Sequence, residues 1–394
     1  GWTMRITPDG KMTPWATGMR SPAGVGVVDG EFFYSDNQGD WMGSGGVWHV
    51  EKGDFTGHPA GLRWTRLTQQ AELTDKPVNL TTDQLYAKVD PRVVKQNGRF
   101  VKPENRRDGN EAPLFTFKKD FPQLKTPAVW LPHGILGISN SEILPDETGG
   151  KFGPFAGQVF VGDQGQSKIM RVFLEKVNGQ YQGAAWDFRS GFQSGVLRMA
   201  FGKDGSLFVG ETNRGWGSAG DANQGLQRLV WNGKLPFEMK AVRAMPDGFE
   251  VEFTMPVDKA SAEDLASYQV RSFTYKYYPV YGSPTINEER CTVRGVQVSD
   301  DGMKVRVAVD NLREYYVHEL LLDGVRARDN SWSLVHPTVY YTLNNIPAGE
   351  KMKIAETVRK PAAATPATKV PAKAPAKGMA KPAAKATATA AVPT

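Results

Sequence analysis

The sequence predicts an all-β protein, in which part of a β-propeller is followed by an immunoglobulin-like β-sandwich and a disordered tail. Three observations support this prediction. A pattern of turn, apolar strand and acidic residue recurs within residues 1–235, and alternating apolar and polar positions recur within 240–346. Residues 348–394 are rich in Ala, Lys, Pro and Thr. A pattern repeated at a fixed spacing is typical of propellers, and alternation with period two is typical of half-buried strands.

Composition excludes several functional classes. The 394 residues include one cysteine, Cys291, which leaves no internal disulfide and no Cys-x-x-Cys-His motif for a covalently attached haem. The five histidines never occur as His-x-x-x-His, so a zinc-protease helix is not supported. The chain has no run of about 18 apolar residues, so no membrane-spanning helix is predicted.

The positive charge of the chain belongs to its tail. Residues 351–394 contain nine Lys and Arg residues and one Glu, a net charge of +8, so residues 1–350 carry −2 of the total of +6. Frequent proline opposes helix formation, and the tail has too little apolar surface to fold. We expect a solvated spacer; the alternative is a segment that adheres to nucleic acid or an anionic surface, and we do not expect nucleic acid to be the protein's partner.

The predicted propeller rests on three segments that end in the acidic residues Asp36, Asp163 and Glu211. The last two lie 48 residues apart, close to the roughly 40–50 residues of one four-stranded blade. Asp36 lies 127 residues before Asp163, which predicts an insertion over residues 61–129. The motif Thr81-x-x-Gln84 in this insertion is a capping box and predicts a short helix.

About three blades are visible in residues 1–235, whereas propellers close with about four to eight blades. Residues 1–7 have the pattern of a β-strand that is entered midway. The sequence begins with Gly1 and without a signal segment. We therefore expect the sequence to be part of a longer protein, with further blades upstream.

The region 240–346 begins with Phe249, Val251 and Phe253 alternating with glutamates, as in a half-buried strand. Residues Val293 to Val309 predict a hairpin whose turn is Asp301-Gly302. Short strands over about 105 residues favour a sandwich that supports or links other domains.

Four motifs in the predicted propeller resemble the glucose/sorbosone dehydrogenase family. They are Gly18-Met-Arg20-Ser-Pro22-Ala-Gly24, Tyr34-Ser-Asp-Asn-Gln-Gly-Asp40, Gly57-His-Pro59 and Gly195-Val-Leu-Arg198. The segment Phe253-Thr-Met-Pro-Val-Asp258 resembles an immunoglobulin-like domain of bacterial surface proteins. Together these motifs relate about residues 1–345 most closely to large secreted proteins of planctomycetes and verrucomicrobia. The family forms six-bladed propellers that use pyrroloquinoline quinone (PQQ) and Ca²⁺.

The resemblance implies a set of cofactor residues. Arg20 and Arg198 match arginines that bind the quinone carboxylates, which guanidinium groups suit chemically. Two positions depart from the family, because Ser21 stands where an asparagine contacts the cofactor and Gln164 stands near an expected lysine. The implied calcium ligands are Asp36, Gly39 and Asp40, whose oxygen atoms suit a hard cation.

The family's catalytic histidine lies in an earlier blade, which leaves His58 and His133 as candidate bases here, or as structural loop residues. Each cofactor candidate also has a structural interpretation. Arg20 could form an ion pair at a blade edge, and Arg198 could pair with Asp163 or Glu211. The strand-end acids could line a pocket or cap turns.

Further side chains on the same loops predict the rim of a pocket, where aromatic rings could stack on a sugar or pack between blades. These residues are Asn37, Trp41, Asp163, Glu211, Asn213 and Trp216.

The leading functional hypothesis is a PQQ- and Ca²⁺-dependent dehydrogenase that oxidises a hydroxyl of a sugar or polyol and passes electrons to a separate cytochrome c. A second hypothesis is a non-catalytic propeller that binds carbohydrate or protein at the cell envelope. A third is an assembly module in which the tail acts as an adhesive. All three place the protein in the periplasm or outside the cell.

Overall fold

The computed structural model describes residues 1–354 except 71, 90–93, 97–98, 102–111 and 216. Residues 1–354 form one compact unit. The predicted tail lies outside the described residues from position 355 onward. None of the helices in the described part of the chain has the length and apolar character needed to span a bilayer.

The elements of the first 235 residues are mostly short strands. In chain order, the strands are β1 (Trp2–Ile6), β2 (Met12–Thr17), β3 (Gly24–Val28), β4 (Glu31–Asp36), β5 (Gly45–His49), β6 (Val94–Gln96), β7 (Arg99–Val101), β8 (Val129–Leu131), β9 (Asn140–Pro145), β10 (Val159–Asp163), β11 (Lys168–Val177), β12 (Gln180–Ser190), β13 (Val196–Phe201), β14 (Leu207–Thr212) and β15 (Gln224–Leu229). The helices are α1 (Thr65–Thr68), α2 (Thr82–Val89) and two 3₁₀ turns, Pro59–Trp64 and Leu114–Phe117.

The remaining elements belong to the second half of the fold. They are β16 (Met239–Met245), β17 (Gly248–Phe253), α3 (Lys259–Glu263), a 3₁₀ turn (Leu265–Ser267), β18 (Gln269–Tyr275), β19 (Thr285–Cys291), β20 (Val293–Val298), β21 (Lys304–Val309), β22 (Tyr316–Leu321) and β23 (Thr338–Leu343). All pairings between the named strands are antiparallel. The all-β prediction, with part of a propeller and an additional β domain, is confirmed.

Three consecutive groups of strands have the organisation expected of propeller blades. Blade 1 has the strand order β3-β4-β5-β8, blade 2 has β9-β10-β11-β12, and blade 3 has β13-β14-β15. Serines join the blades, because the Ser35 hydroxyl donates to the Ser141 carbonyl and the Ser141 hydroxyl donates to the Val196 carbonyl, at 2.6 and 2.7 Å. The second strand of blade 1 is thereby held against the first strand of blade 2, and that strand against the first strand of blade 3.

The insertion leaves blade 1 after β5 and returns at β8. Its capping box forms as predicted, because the Thr81 backbone N–H donates to Oε1 of Gln84 and the Gln84 N–H donates to Oγ1 of Thr81. Leu85 of α2 is fully buried in a small core with Leu62, Leu80 and Phe121. The insertion therefore has a hydrophobic core, which Trp41 of blade 1 and Tyr277 of the sandwich also enter.

The second half contains two four-stranded arrangements. One sheet has the order β16-β17-β21-β20, and its apolar residues pack against β18, β22 and β23. The predicted hairpin is present, because Val298 of β20 pairs with Val305 of β21 and Gly302 has a φ of 73° in the turn between them. Glycine reaches that backbone conformation without the steric cost of a side chain.

The propeller and the sandwich share one sheet. β12, the last strand of blade 2, pairs with β23, so the eight strands β19-β18-β22-β23-β12-β11-β10-β9 form a continuous sheet. The junction has three residue pairs, Gly183 with Thr342, Ala184 with Tyr341, and Ala185 with Tyr340. This shared sheet fixes the sandwich against blade 2.

A buried arginine reinforces that junction. The guanidinium of Arg171 on β11 lies between the rings of Phe155 and Trp186, 4.0 and 4.1 Å from their centroids. It donates to the side chain of Gln158 and to the carbonyls of Met239 and Lys240 at 2.6, 2.7 and 2.9 Å. Burial lowers the pKa of Arg171 to about 9, so the group remains charged at neutral pH. The two carbonyls belong to β16, so this side chain joins blade 2 to the sandwich.

Replacing Arg171 with methionine is expected to destabilise the protein by about 2–4 kcal/mol, because the substitution keeps the apolar stem but removes the guanidinium that donates to the buried Gln158 and Met239 oxygens. Urea unfolding of R171M measures this loss. R189M is the matched control, because Arg189 lies on β12 and is exposed. Equal stability of R171M and wild type would contradict the assigned role.

Candidate functional site

The strand-end acid of blade 1 holds the loop that leads into the same blade. Asp36 is fully buried at the end of β4. Its carboxylate accepts backbone N–H bonds from Arg20, Ser21 and Asn37 at 2.8, 2.9 and 2.8 Å. Burial raises the pKa of Asp36, and the three N–H donors oppose that rise by stabilising the charged form. The carboxylate thus fixes the backbone that carries Arg20.

Blades 2 and 3 repeat the same contact. Asp163 accepts backbone N–H bonds from Ile138, Ser139 and Gln166 at 2.7, 2.8 and 2.6 Å. Glu211 accepts one from Ser194 at 2.8 Å. Burial raises the pKa of both acids. In each blade the acid of the second strand caps the loop before the first strand, which favours the structural interpretation of these residues.

The most concentrated group of polar side chains lies on the loops around Asp40. Nε of Arg20 donates to Oδ1 of Asp40 at 2.9 Å, and Nε2 of His58 lies 3.6 Å from Oδ2 of the same carboxylate. The three side chains are 21, 20 and 12% exposed, respectively. We call Arg20, Asp40 and His58 the polar triad. The structure thus brings together one residue predicted for the cofactor, one for calcium and one for proton transfer.

A loop of the sandwich completes the surroundings of the triad. The guanidinium carbon of Arg20 lies 5.1 Å from the ring centroid of Tyr281, in the segment between β18 and β19. Asp40 and Tyr281 form an isolated antiparallel bridge, and the Gly282 N–H donates to the Gly39 carbonyl at 2.9 Å. A Cβ atom on Gly39 would lie 1.9 Å from Nε of Arg20, so only glycine permits this approach. Gly39 therefore serves the packing of Arg20.

The insertion contributes to the same cluster through α2. Nearby Asp40 adds to the effect of burial in raising the pKa of Tyr86 to about 12, so the phenol stays protonated at neutral pH. The ring of Tyr86 packs edge-on against Trp41, 5.3 Å between centroids. Trp41 itself is buried in the core of the insertion, so its ring packs internally and does not lie on an open rim.

Two residues that were predicted to bind the cofactor, Arg198 and Gln164, contact residues outside the polar triad. Arg198 is 58% exposed, donates to the Ala23 and Leu197 carbonyls at 2.9 Å, and has its Nε 3.4 Å from Glu142. Its acidic partner is thus Glu142, and neither Asp163 nor Glu211. Gln164 is buried and donates to the Thr212 carbonyl at 3.1 Å, which links blades 2 and 3.

The remaining predicted residues have mainly local contacts. The backbone N–H of His133 donates to the Ser44 hydroxyl at 3.0 Å, and burial lowers the pKa of its imidazole. Asn213 pairs with Asn223 across a hairpin, and the Asn37 side chain donates to the Ser21 carbonyl at 3.5 Å. Trp216 lies outside the described residues.

The residues around the triad do not fit PQQ and Ca²⁺ well. The oxygens of Asp36 already accept three N–H bonds, and Arg20 is neutralised by Asp40. Within the described ranges, no group of three or more His, Cys, Asp or Glu side chains lies close enough to hold a metal ion. A quinone with three carboxylates needs cationic donors, and calcium needs several oxygen ligands. We derive no reaction step through either group.

Sequence reasoning missed the contributions of Tyr86 and Tyr281. The capping box predicts α2 but not which side chain of the helix meets Asp40. Tyr281 belongs to a stretch, Tyr277-Tyr-Pro-Val-Tyr281-Gly-Ser-Pro, that is rich in aromatic residues and proline. Such a stretch between two predicted strands was the available signal for a functional loop.

Comparisons with known proteins give distant similarities only. No family model matches the chain, and no curated protein matches it. The N-terminal part of the bacterial S-layer protein SbsC is 21% identical over 29% of this chain and 25% of its own, with a TM-score of 0.22. A Thermus thermophilus protein described as a candidate oxidoreductase (glucose dehydrogenase) is 19% identical over 55% of this chain and 47% of its own, with a TM-score of 0.31. This chain thus spans less than half of either structure, and similarities at this level carry no functional argument.

Asp163→Asn is expected to cost about 1–3 kcal/mol of stability, because an amide group cannot accept all three N–H bonds. Thermal and urea unfolding measure the loss. D187N is the matched control, because Asp187 is a half-exposed acid in the same blade. If D163N kept its stability but lost ligand binding, the capping role would be wrong.

Proposed function

We propose that this protein binds carbohydrate through the polar triad. One observation carries the proposal: the Arg20 guanidinium and the His58 imidazole converge on the Asp40 carboxylate beside the exposed ring of Tyr281. Each of the three side chains of the triad is about four-fifths or more buried. Sugar hydroxyls both donate and accept hydrogen bonds. A carboxylate can accept from them, and a guanidinium and an imidazole N–H can donate to them.

The surroundings of the triad support binding because they hold it in a fixed geometry. Asp36 accepts the Arg20 backbone N–H, and the His58 ring accepts the Ala60 N–H at 3.3 Å through Nδ1. This second contact turns Nε2 of His58 toward Asp40. Polar groups that are oriented before a ligand arrives lose little conformational entropy on binding.

The second candidate is oxidation of a carbohydrate hydroxyl by a PQQ-dependent dehydrogenase. It is favoured by the meeting of Arg20 and Asp40, which the family resemblance relates to cofactor and calcium, with His58, a candidate base. It ranks second because Asp40 neutralises Arg20 and the Asp36 carboxylate is engaged by backbone donors. For either candidate we propose a location in the periplasm or outside the cell.

A glycan array followed by calorimetry with the full 394-residue chain tests the binding proposal. We expect R20Q and D40N to weaken binding of the array ligand by about 10- to 100-fold, the range for a lost hydrogen bond to a charged group. The matched control is R198Q, because Arg198 is exposed and contacts Glu142 instead of the triad. R198Q should bind as the wild type does.

The same preparations separate the two candidates when a redox dye and sugars are added with PQQ and Ca²⁺. Binding without dye reduction supports the proposed function. PQQ-dependent dye reduction that is lost in R20Q would replace it with the dehydrogenase. Absence of binding to every glycan, without dye reduction, would overturn both.

A further inference from the structure

The sandwich loop beside the triad exposes one aromatic ring although its backbone is firmly held. The side chain of Tyr281 is 55% exposed. Around it, the Trp41 N–H donates to the Tyr278 carbonyl at 3.0 Å and the Ser283 N–H donates to the Gly43 carbonyl at 2.9 Å. The Tyr278 hydroxyl donates to the Gly282 carbonyl at 2.8 Å, which closes the loop on itself.

A glycine is required next to this ring. Gly282 has a φ of 67°, in the left-handed region, and a Cβ there would lie 2.5 Å from the side-chain carbon of Gln38. The loop therefore packs directly on the blade 1 loop that carries Asp40. A large aromatic side chain that stays exposed on so constrained a backbone presents its ring in a fixed position.

We infer that Tyr281 is the platform on which a pyranose ring stacks, so that the sandwich determines the ligand class of the site. This inference rests on the proposed function and makes it more specific. A pyranose presents a face of C–H groups that can cover an aromatic ring, while its hydroxyl edge reaches the polar triad. An open-chain polyol has the hydroxyls but no such face. The ligand class is therefore cyclic sugars, and the sandwich supplies the selectivity.

The contacts of Tyr281 with the triad support this assignment. Arg20 approaches the ring at 5.1 Å and also donates to Asp40. The guanidinium lies over one face of the ring, so a sugar would stack on the other face and reach Arg20 and Asp40 along the edge of the ring. Aromatic groups with an apolar body and polar neighbours commonly orient small ligands in this way.

Titration calorimetry or saturation-transfer NMR with the full chain tests the inference. The probes are the methyl β-pyranosides of glucose and galactose and the corresponding alditols, glucitol and galactitol. We expect Y281A to weaken pyranoside binding about tenfold and alditol binding little, which abolishes the preference for the ring form. Y281F should keep the preference, because the platform requires the ring and not the hydroxyl.

The matched control is W332A, because Trp332 is also an exposed aromatic residue of the sandwich, at 53%. W332A should keep both the affinity and the preference. One outcome refutes the platform and leaves the proposed function standing: wild type binds pyranosides, R20Q loses that binding, and Y281A keeps the wild-type preference for the ring form. If wild type binds neither pyranosides nor alditols, both fail. A structural defect in Y281A would reduce binding of ring and open-chain probes equally and would also refute the platform.

Discussion

The buried carboxylate at the end of the second strand of each blade is the contact on which the candidate site depends. Asp36 loses its hydration on burial, and three backbone N–H groups replace the lost water contacts. One of those N–H groups belongs to Arg20, so the cap also sets the position from which the guanidinium reaches Asp40. Asp163 and Glu211 repeat the contact, and no comparable triad accompanies them among the residues that the structure describes. The repeated contact therefore belongs to the construction of the blades, and blade 1 carries the polar triad in addition.

The continuous sheet explains how a sandwich loop comes to lie at a propeller site. β12 pairs with β23, β23 with β22, and β22 with β18, which ends at Tyr275. Each pairing fixes the next strand at a spacing of about 4.8 Å. The loop after β18 therefore emerges at a position determined by blade 2. Arg171 strengthens the same junction from inside, because it binds two carbonyls of β16.

Local patterns predicted much of this fold, and distant contacts explain what they missed. The capping box of Thr81 and the Asp301-Gly302 turn depend on residues close in sequence, so the sequence alone was enough to predict them. The sequence repeat predicted the three acidic residues at strand ends. It did not predict which backbone N–H groups donate to them, because that depends on which loop returns to each strand. The approach of Tyr281 to Arg20 joins residues that lie far apart in the chain. No local periodicity encodes that contact, because it follows from the pairing of β12 with β23.

Charge explains why the geometry favours a neutral, hydroxyl-rich ligand over a tricarboxylate. Arg20 and Asp40 form an ion pair and cancel each other's charge. The first 350 residues carry a net charge of −2, so the folded part provides no general attraction for an anion. A desolvated ion pair still has strongly polar atoms that can bind hydroxyl groups, and it binds them without requiring a further buried charge. The polar triad is therefore better matched to an uncharged sugar, whose binding leaves the ion pair intact.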